Sequence, residues 1–210
     1  MFPAPARDLH RGGGVASVRS GYPWPVNLHG VLRAAERATA LDRPGATVAG
    51  VARRVLGTGR LDRALRGAWL GHPVHPLLVT VPIGAWACSA VADATGQRDT
   101  ARTLVTIGLA ATPPTVVAGL ADYSRLDARQ RRVGMLHALG NAGAAGCFLV
   151  SRLLRDRPSP VAASVWSAVG LVMVGAGGAL GGHLSYAQGA GVGRWQPLVT
   201  GSATAGTSPG

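Results

Sequence analysis

The chain contains no lysine and no Cys-x-x-Cys pair, and four long stretches of it carry no charge. Two cysteines occur in 210 residues, Cys88 and Cys147, each inside an apolar run. Without CxxC or CxxCH, neither a zinc knuckle nor covalent c-type haem attachment is supported. Lone thiols in apolar surroundings behave as small core residues. The N-terminal stretch MFPAPARDLHRGGGVASVRSGYPWP lacks the continuous apolar core of a signal peptide, so membrane insertion is expected from internal segments. No G-x-S-x-G elbow is present, which leaves serine-hydrolase chemistry unsupported. No repeat of fixed period is evident.

What is there is apolar bulk with basic edges. Mean hydropathy is +0.22, yet the net charge is +12 and every basic residue is arginine. No Asp, Glu, Lys or Arg falls between Arg66 and Asp93, between Arg102 and Asp122, between Arg132 and Arg152, or between Arg157 and Arg194. A helix crossing the hydrocarbon core needs roughly 20 mostly apolar residues, and each run is long enough. Open sheets cannot exist in lipid, so the runs predict an all-α, polytopic membrane protein, a four-transmembrane-helix bundle. The spans are expected at about 76–94, 101–121, 133–151 and 161–183. Pro82, Pro113 and Pro114 are tolerable kinks. Gly170, Gly177, Gly178, Gly181 and Gly182 recur at spacings that let membrane helices approach closely.

Residues 1–71 read as a separate basic, partly helical arm, and 72–190 as the membrane domain. The remainder, 191–210, is a short Gly/Ser/Thr-rich tail expected to be disordered. In the arm, TVAGVARRVLGTG places Val48, Val51, Ala52 and Val55 on one helical face, and LDRALRGAWLG is a second short basic helix. Such helices suit a membrane surface, a partner or the bundle itself. Arginine counts favour both termini in the cytoplasm of a multi-pass protein of the cell (plasma) membrane. Arg125, Arg129, Arg131 and Arg132 join the arm's arginines on one side, against Arg98, Arg102, Arg152, Arg155 and Arg157 on the other.

With four alternating spans, the polar residues sort by face. His72 and His75 open the first span, and Asp122 and Tyr123 close the second. His137 and Asn141 open the third, and His183 and Tyr186 close the fourth. Ionisable groups within spans are costly and mark functional sites. Imidazole ligates iron, copper and zinc, and two imidazoles from facing helices can take both axial positions of a haem. His75, His137 and His183 are the best-placed candidates for haem b or a transition metal. His72 lies about one turn away, and Asp122, Asn141 and Tyr186 would orient imidazole N–H groups. A quinone headgroup is a further ligand for the same polar set. A single site on one face cannot carry electrons across the whole membrane. His10 and His29 lie in the arm with no evident role.

At these motifs the sequence resembles a bacterial membrane family, domain of unknown function 2231. The matching pieces are LRGAWLGHPVHPLLVTVPIGAWACSAVAD, GLADYSRLDARQRRVGMLHALGN and GGHLSYAQGAGV, with ATALDRP as a lead-in. The resemblance covers roughly residues 37–195. It implies a four-helix membrane domain of no established activity, found fused to or beside Rieske-type iron–sulfur proteins and sometimes cytochromes. It lands on His72, His75, Asp122, His137, Asn141, His183 and Tyr186. The aromatic after Asp122, often tryptophan in the family, is Tyr123 here. This chain has none of the paired Cys and His ligands of a Rieske cluster, so any such partner is a separate chain.

Three classes of function follow. The first is a redox membrane protein binding haem b, metal or quinone at the histidine face. The second is a non-catalytic membrane anchor or docking module for a soluble, Rieske-type partner. The third is a small transporter, for which the mid-span polar residues are thin: Cys88, Ser89, Thr106, Thr112, Cys147 and Ser164. The pI near 11.6 does not indicate nucleic acid, because the arginines flank apolar spans and no nucleic-acid motif is present. The chain is not expected to be an enzyme on its own, though it could be the membrane subunit of one.

Overall fold

The computed structural model describes residues 28–157 and 160–192. His10, and the tail from residue 193 onward, lie outside the described residues. Helices α1 (Leu28–Glu36), α2 (Asp42–Leu56) and α3 (Arg60–Leu65) come first. Short α4 (Val74–Leu78) leads into α5 (Thr80–Ala94), followed by α6 (Arg98–Tyr123), α7 (Ala128–Leu154) and α8 (Pro160–Gly182). A π-helical turn, His183–Ala187, finishes α8. Every regular element among the described residues is helical. Among the described residues, four helices are long and apolar enough to cross a membrane: Val74–Ala94, Arg98–Tyr123, Ala128–Leu154 and Val161–Ala187.

Local chemistry explains their interruptions and ends. Pro82 has no N–H to offer the carbonyl four residues back, and the first span breaks at Val79, between α4 and α5. Pro113 and Pro114 sit inside α6, where the hydroxyls of Thr112 and Thr115 bond the carbonyls of Gly108 and Ala111. Helix α7 starts on a reciprocal cap. The Asp127 carboxylate accepts from the Gln130 N–H at 2.8 Å, and the Gln130 side chain accepts from the Asp127 N–H at 3.1 Å.

The four spans form two hairpins, α4/α5 with α6 and α7 with α8, and these correspond residue for residue. Asp93 and Arg155, 62 residues apart, occupy the same position in the two hairpins and pair with each other through two bonds of 2.7 Å. At the same offset, Trp86 stacks on Phe148, and His75 meets His137. Contacts within the hairpins repeat as well. Gly108 faces the Trp86 ring, and its counterpart Gly170 faces Phe148. Contact between equivalent residues is what a two-fold axis produces. Both hairpins run the same way through the bilayer, so the axis lies along the membrane normal. No repeat of fixed period is evident in the sequence; the structure brings out this one.

Helices α1 to α3 pack on the end of the bundle where the first span begins. The face of α2 that packs there is made of small residues. Gly45, Ala49 and Ala52 are buried, while Val51 and Val55 are exposed. Close approach selects the small residues: a Cβ on Gly45 would lie 2.9 Å from the Tyr123 hydroxyl. Arg53 donates to the Ser124 carbonyl at 2.8 Å. The carboxylate of Asp62 in α3 is buried and holds both Arg66 and Arg125, tying α3 to the end of α6. Gly67 follows with φ of 87°, where a side chain would run into the His72 carbonyl.

Candidate functional site

His75 and His137 meet near the axis, with ring centres 6.2 Å apart and planes at 82°. Each ring is half-buried and each is held in the same way. His75 Nδ1 donates to the Thr115 carbonyl at 2.9 Å, and His137 Nδ1 donates to the Gly177 carbonyl at 2.8 Å. Histidine and carbonyl are 40 residues apart in both cases. A carbonyl can only accept, so the proton of each neutral ring sits on Nδ1. That leaves the Nε2 lone pair of each ring as its ligating position.

Glycine makes both arrangements possible. The His75 ring lies over Gly119 and the His137 ring over Gly181, each one helical turn beyond the accepting carbonyl. A Cβ at either glycine would come within 2.9 Å of the imidazole. Asn141, one turn along α7 from His137, donates to the His137 carbonyl at 2.8 Å, and its amide nitrogen lies 3.3 Å from Nδ1 and 3.5 Å from Nε2 of the ring. Its amide packs against Gly177.

The other expected site residues lie apart from this pair. His183 Nε2 bonds Glu36 Oε1 at 2.7 Å, with both side chains largely buried. The Glu36 carboxylate also accepts from Arg129 at 2.6 Å and from Gln188 at 3.0 Å. Arg129, then His183 and Gln188, pull the Glu36 pKa from an ordinary 4.5 down to about 2. Arg132 completes the clamp, reaching the Glu36 carbonyl and holding Asp42 bidentately at 2.6 and 2.8 Å. His183 thus fastens α1 to the bundle. His72 is exposed and bonds the neighbouring Gly71 carbonyl. Tyr186 is 93% exposed. Asp122 lines an open cleft of about 220 Å³ together with Arg66, Arg125 and Gln130. Among the described residues, no group of three or more His, Cys, Asp and Glu side chains is disposed to hold a metal ion.

A family of predicted membrane proteins, DUF2231, matches residues 71–194, from just before His72 to just beyond the last described residue. The chain belongs to that family. No curated protein and no solved structure matches it. The DUF2231 segment holds both hairpins and the His75–His137 pair, whereas Glu36 lies before it. Sequence reasoning missed Glu36, Gly119 and Gly181. The equal spacing from each histidine to its glycine was the available signal.

Proposed function

We propose that this multi-pass membrane protein is redox-associated and binds haem b through Nε2 of His75 and His137. The observation that carries this reading is the matched pair of imidazoles, each with Nδ1–H committed to a backbone carbonyl. Metal-ligating histidines are fixed by such partners, which set the tautomer and raise ligand basicity. The number of donors also favours haem. Two imidazoles are too few for a closed four-ligand zinc site, whereas a haem would be held by His75 and His137 and would supply one-electron redox chemistry. The arginine distribution supports cytoplasmic termini in the cell membrane.

The test is an absorption spectrum of detergent-purified protein, oxidised and then dithionite-reduced, from a host supplied with haem precursor and iron. A Soret band with sharp reduced α and β bands, lost in His75→Ala and His137→Ala, is the expected result. A colourless sample with stoichiometric metal moves the site to direct coordination. A colourless, metal-free, folded sample overturns haem and tightly bound metal together. It leaves quinone binding, or a non-catalytic anchor for a soluble Rieske-type or cytochrome partner.

A further inference from the structure

We propose that α3 and the Trp69–Leu70 turn form a docking surface for anionic phospholipid headgroups at the mouth of the first span. The surface combines apolar contacts with uncompensated charge. Leu61 is 58% exposed and Trp69 is 70% exposed. The Trp69 ring is not loose: its Nε1–H donates to the Ala64 carbonyl at 3.1 Å. The polar edge of the indole is therefore satisfied by α3, and its apolar faces turn outward. Tryptophan is enriched at the membrane–water boundary, where one part of the ring is wet and the rest apolar.

The charge on α3 is one-sided. Asp62 turns inward and is held by Arg66 and Arg125. Arg60 and Arg63, on either side of it, are exposed and pair with no acid among the described residues. A guanidinium binds phosphate oxygens bidentately and is weakly hydrated, which suits a phosphodiester headgroup at a surface of low polarity. Leu77 and Val81, at the start of the first span, are also exposed, at 55% and 48%. A lipid offers both a phosphate for Arg60 and Arg63 and acyl chains for the exposed Leu61 and Trp69 of the same short segment. A soluble acidic partner would use the arginines but leave those apolar groups in water.

The test uses the full chain, reconstituted in vesicles of equal phosphatidylcholine and phosphatidylglycerol, re-extracted, and its retained lipids counted by native mass spectrometry. The expected result is a several-fold excess of phosphatidylglycerol, falling to the bulk ratio in R60Q/R63Q. The variant R98Q/R157Q, with the same loss of charge at the opposite face, should keep the excess. Equal retention by R60Q/R63Q and the unaltered chain would overturn the proposal. So would displacement of the lipid by inorganic phosphate at matched concentration, which would indicate a free-anion site.

Discussion

Trp86 lies flat on Phe148, ring centres 4.1 Å apart and planes within 7°, and each ring packs against a glycine of its own hairpin. Phe148 is fully buried and Trp86 nearly so, and the two sit at the centre of the main core cluster with Val105, Ala144 and Val174. In lipid the hydrophobic effect between helices is weak, so close packing carries much of the association. The stack is therefore one of the places where the hairpins are joined.

Substitution at the two glycines tests this. Gly108→Leu and Gly170→Leu each force side-chain atoms into an aromatic ring, an overpacking that costs about 1–3 kcal/mol or more. Gly146→Leu adds the same bulk where no atom lies within 4 Å of the new Cβ. Thermal unfolding in detergent should separate the first two variants from the third. Similar losses in all three would mean that the stack does not join the hairpins.

Asp93 and Arg155 join the far end of the same axis, with side chains 12% and 5% exposed. Removing one partner strands the other as a buried charge, which costs about 3–5 kcal/mol. Arg155→Ala and Asp93→Ala should both destabilise strongly. Because the two positions are equivalent across the axis, the exchange D93R/R155D should recover much of the loss. An exchanged protein no more stable than the single variants would argue against that equivalence.

The same pairs show why the spans were legible in the sequence and the repeat was not. Charge-free runs follow from the cost of charge in hydrocarbon, so the four helices could be found without knowing any contact. A residue that faces its own equivalent across an axis is under a different constraint. Two aspartates at position 93 and its counterpart would repel, and the pair seen is Asp93 with Arg155. Carbonyl acceptors are indifferent to their side chain, so Thr115 stands opposite Gly177. What is shared is chiefly glycine, alanine and leucine, in a chain already rich in them. Complementarity thus erased identity. Glu36 was hidden for another reason: it reaches His183 across 147 residues of chain.

Glu36 also sets a pH dependence. Its pKa is depressed to about 2 by Arg129, His183 and Gln188, against an ordinary 4.5. A carboxylate with a depressed folded-state pKa contributes stability that is fully present above about 4.5 and is lost as pH falls toward about 2. Docking of α1 should weaken across that window, so the protection factors of α1, exchange corrected for its intrinsic pH dependence, should fall between pH 5 and 2.5. Glu36→Gln should raise exchange already at neutral pH and flatten the profile. A profile unchanged by the substitution would mean that the clamp does not hold α1.

The glycines beneath the histidines give the most discriminating test of the site. A methyl group at Gly119 would lie 2.9 Å from His75 Nδ1, and one at Gly181 would lie 2.9 Å from His137 Cε1. Gly119→Ala and Gly181→Ala should therefore push the imidazoles off their carbonyls while leaving both rings in the protein. Loss of an orienting partner typically weakens metal affinity about 10–100-fold. Gly178→Ala meets no atom within 4 Å and should change nothing. If His75 and His137 ligate haem, their alanine variants lose the reduced α and β bands, and added imidazole restores them by filling the vacated position. The two glycine variants instead retain a displaced ring that blocks such rescue. If the histidines only hold helices together, all four variants shift the unfolding temperature and none changes an absorption spectrum.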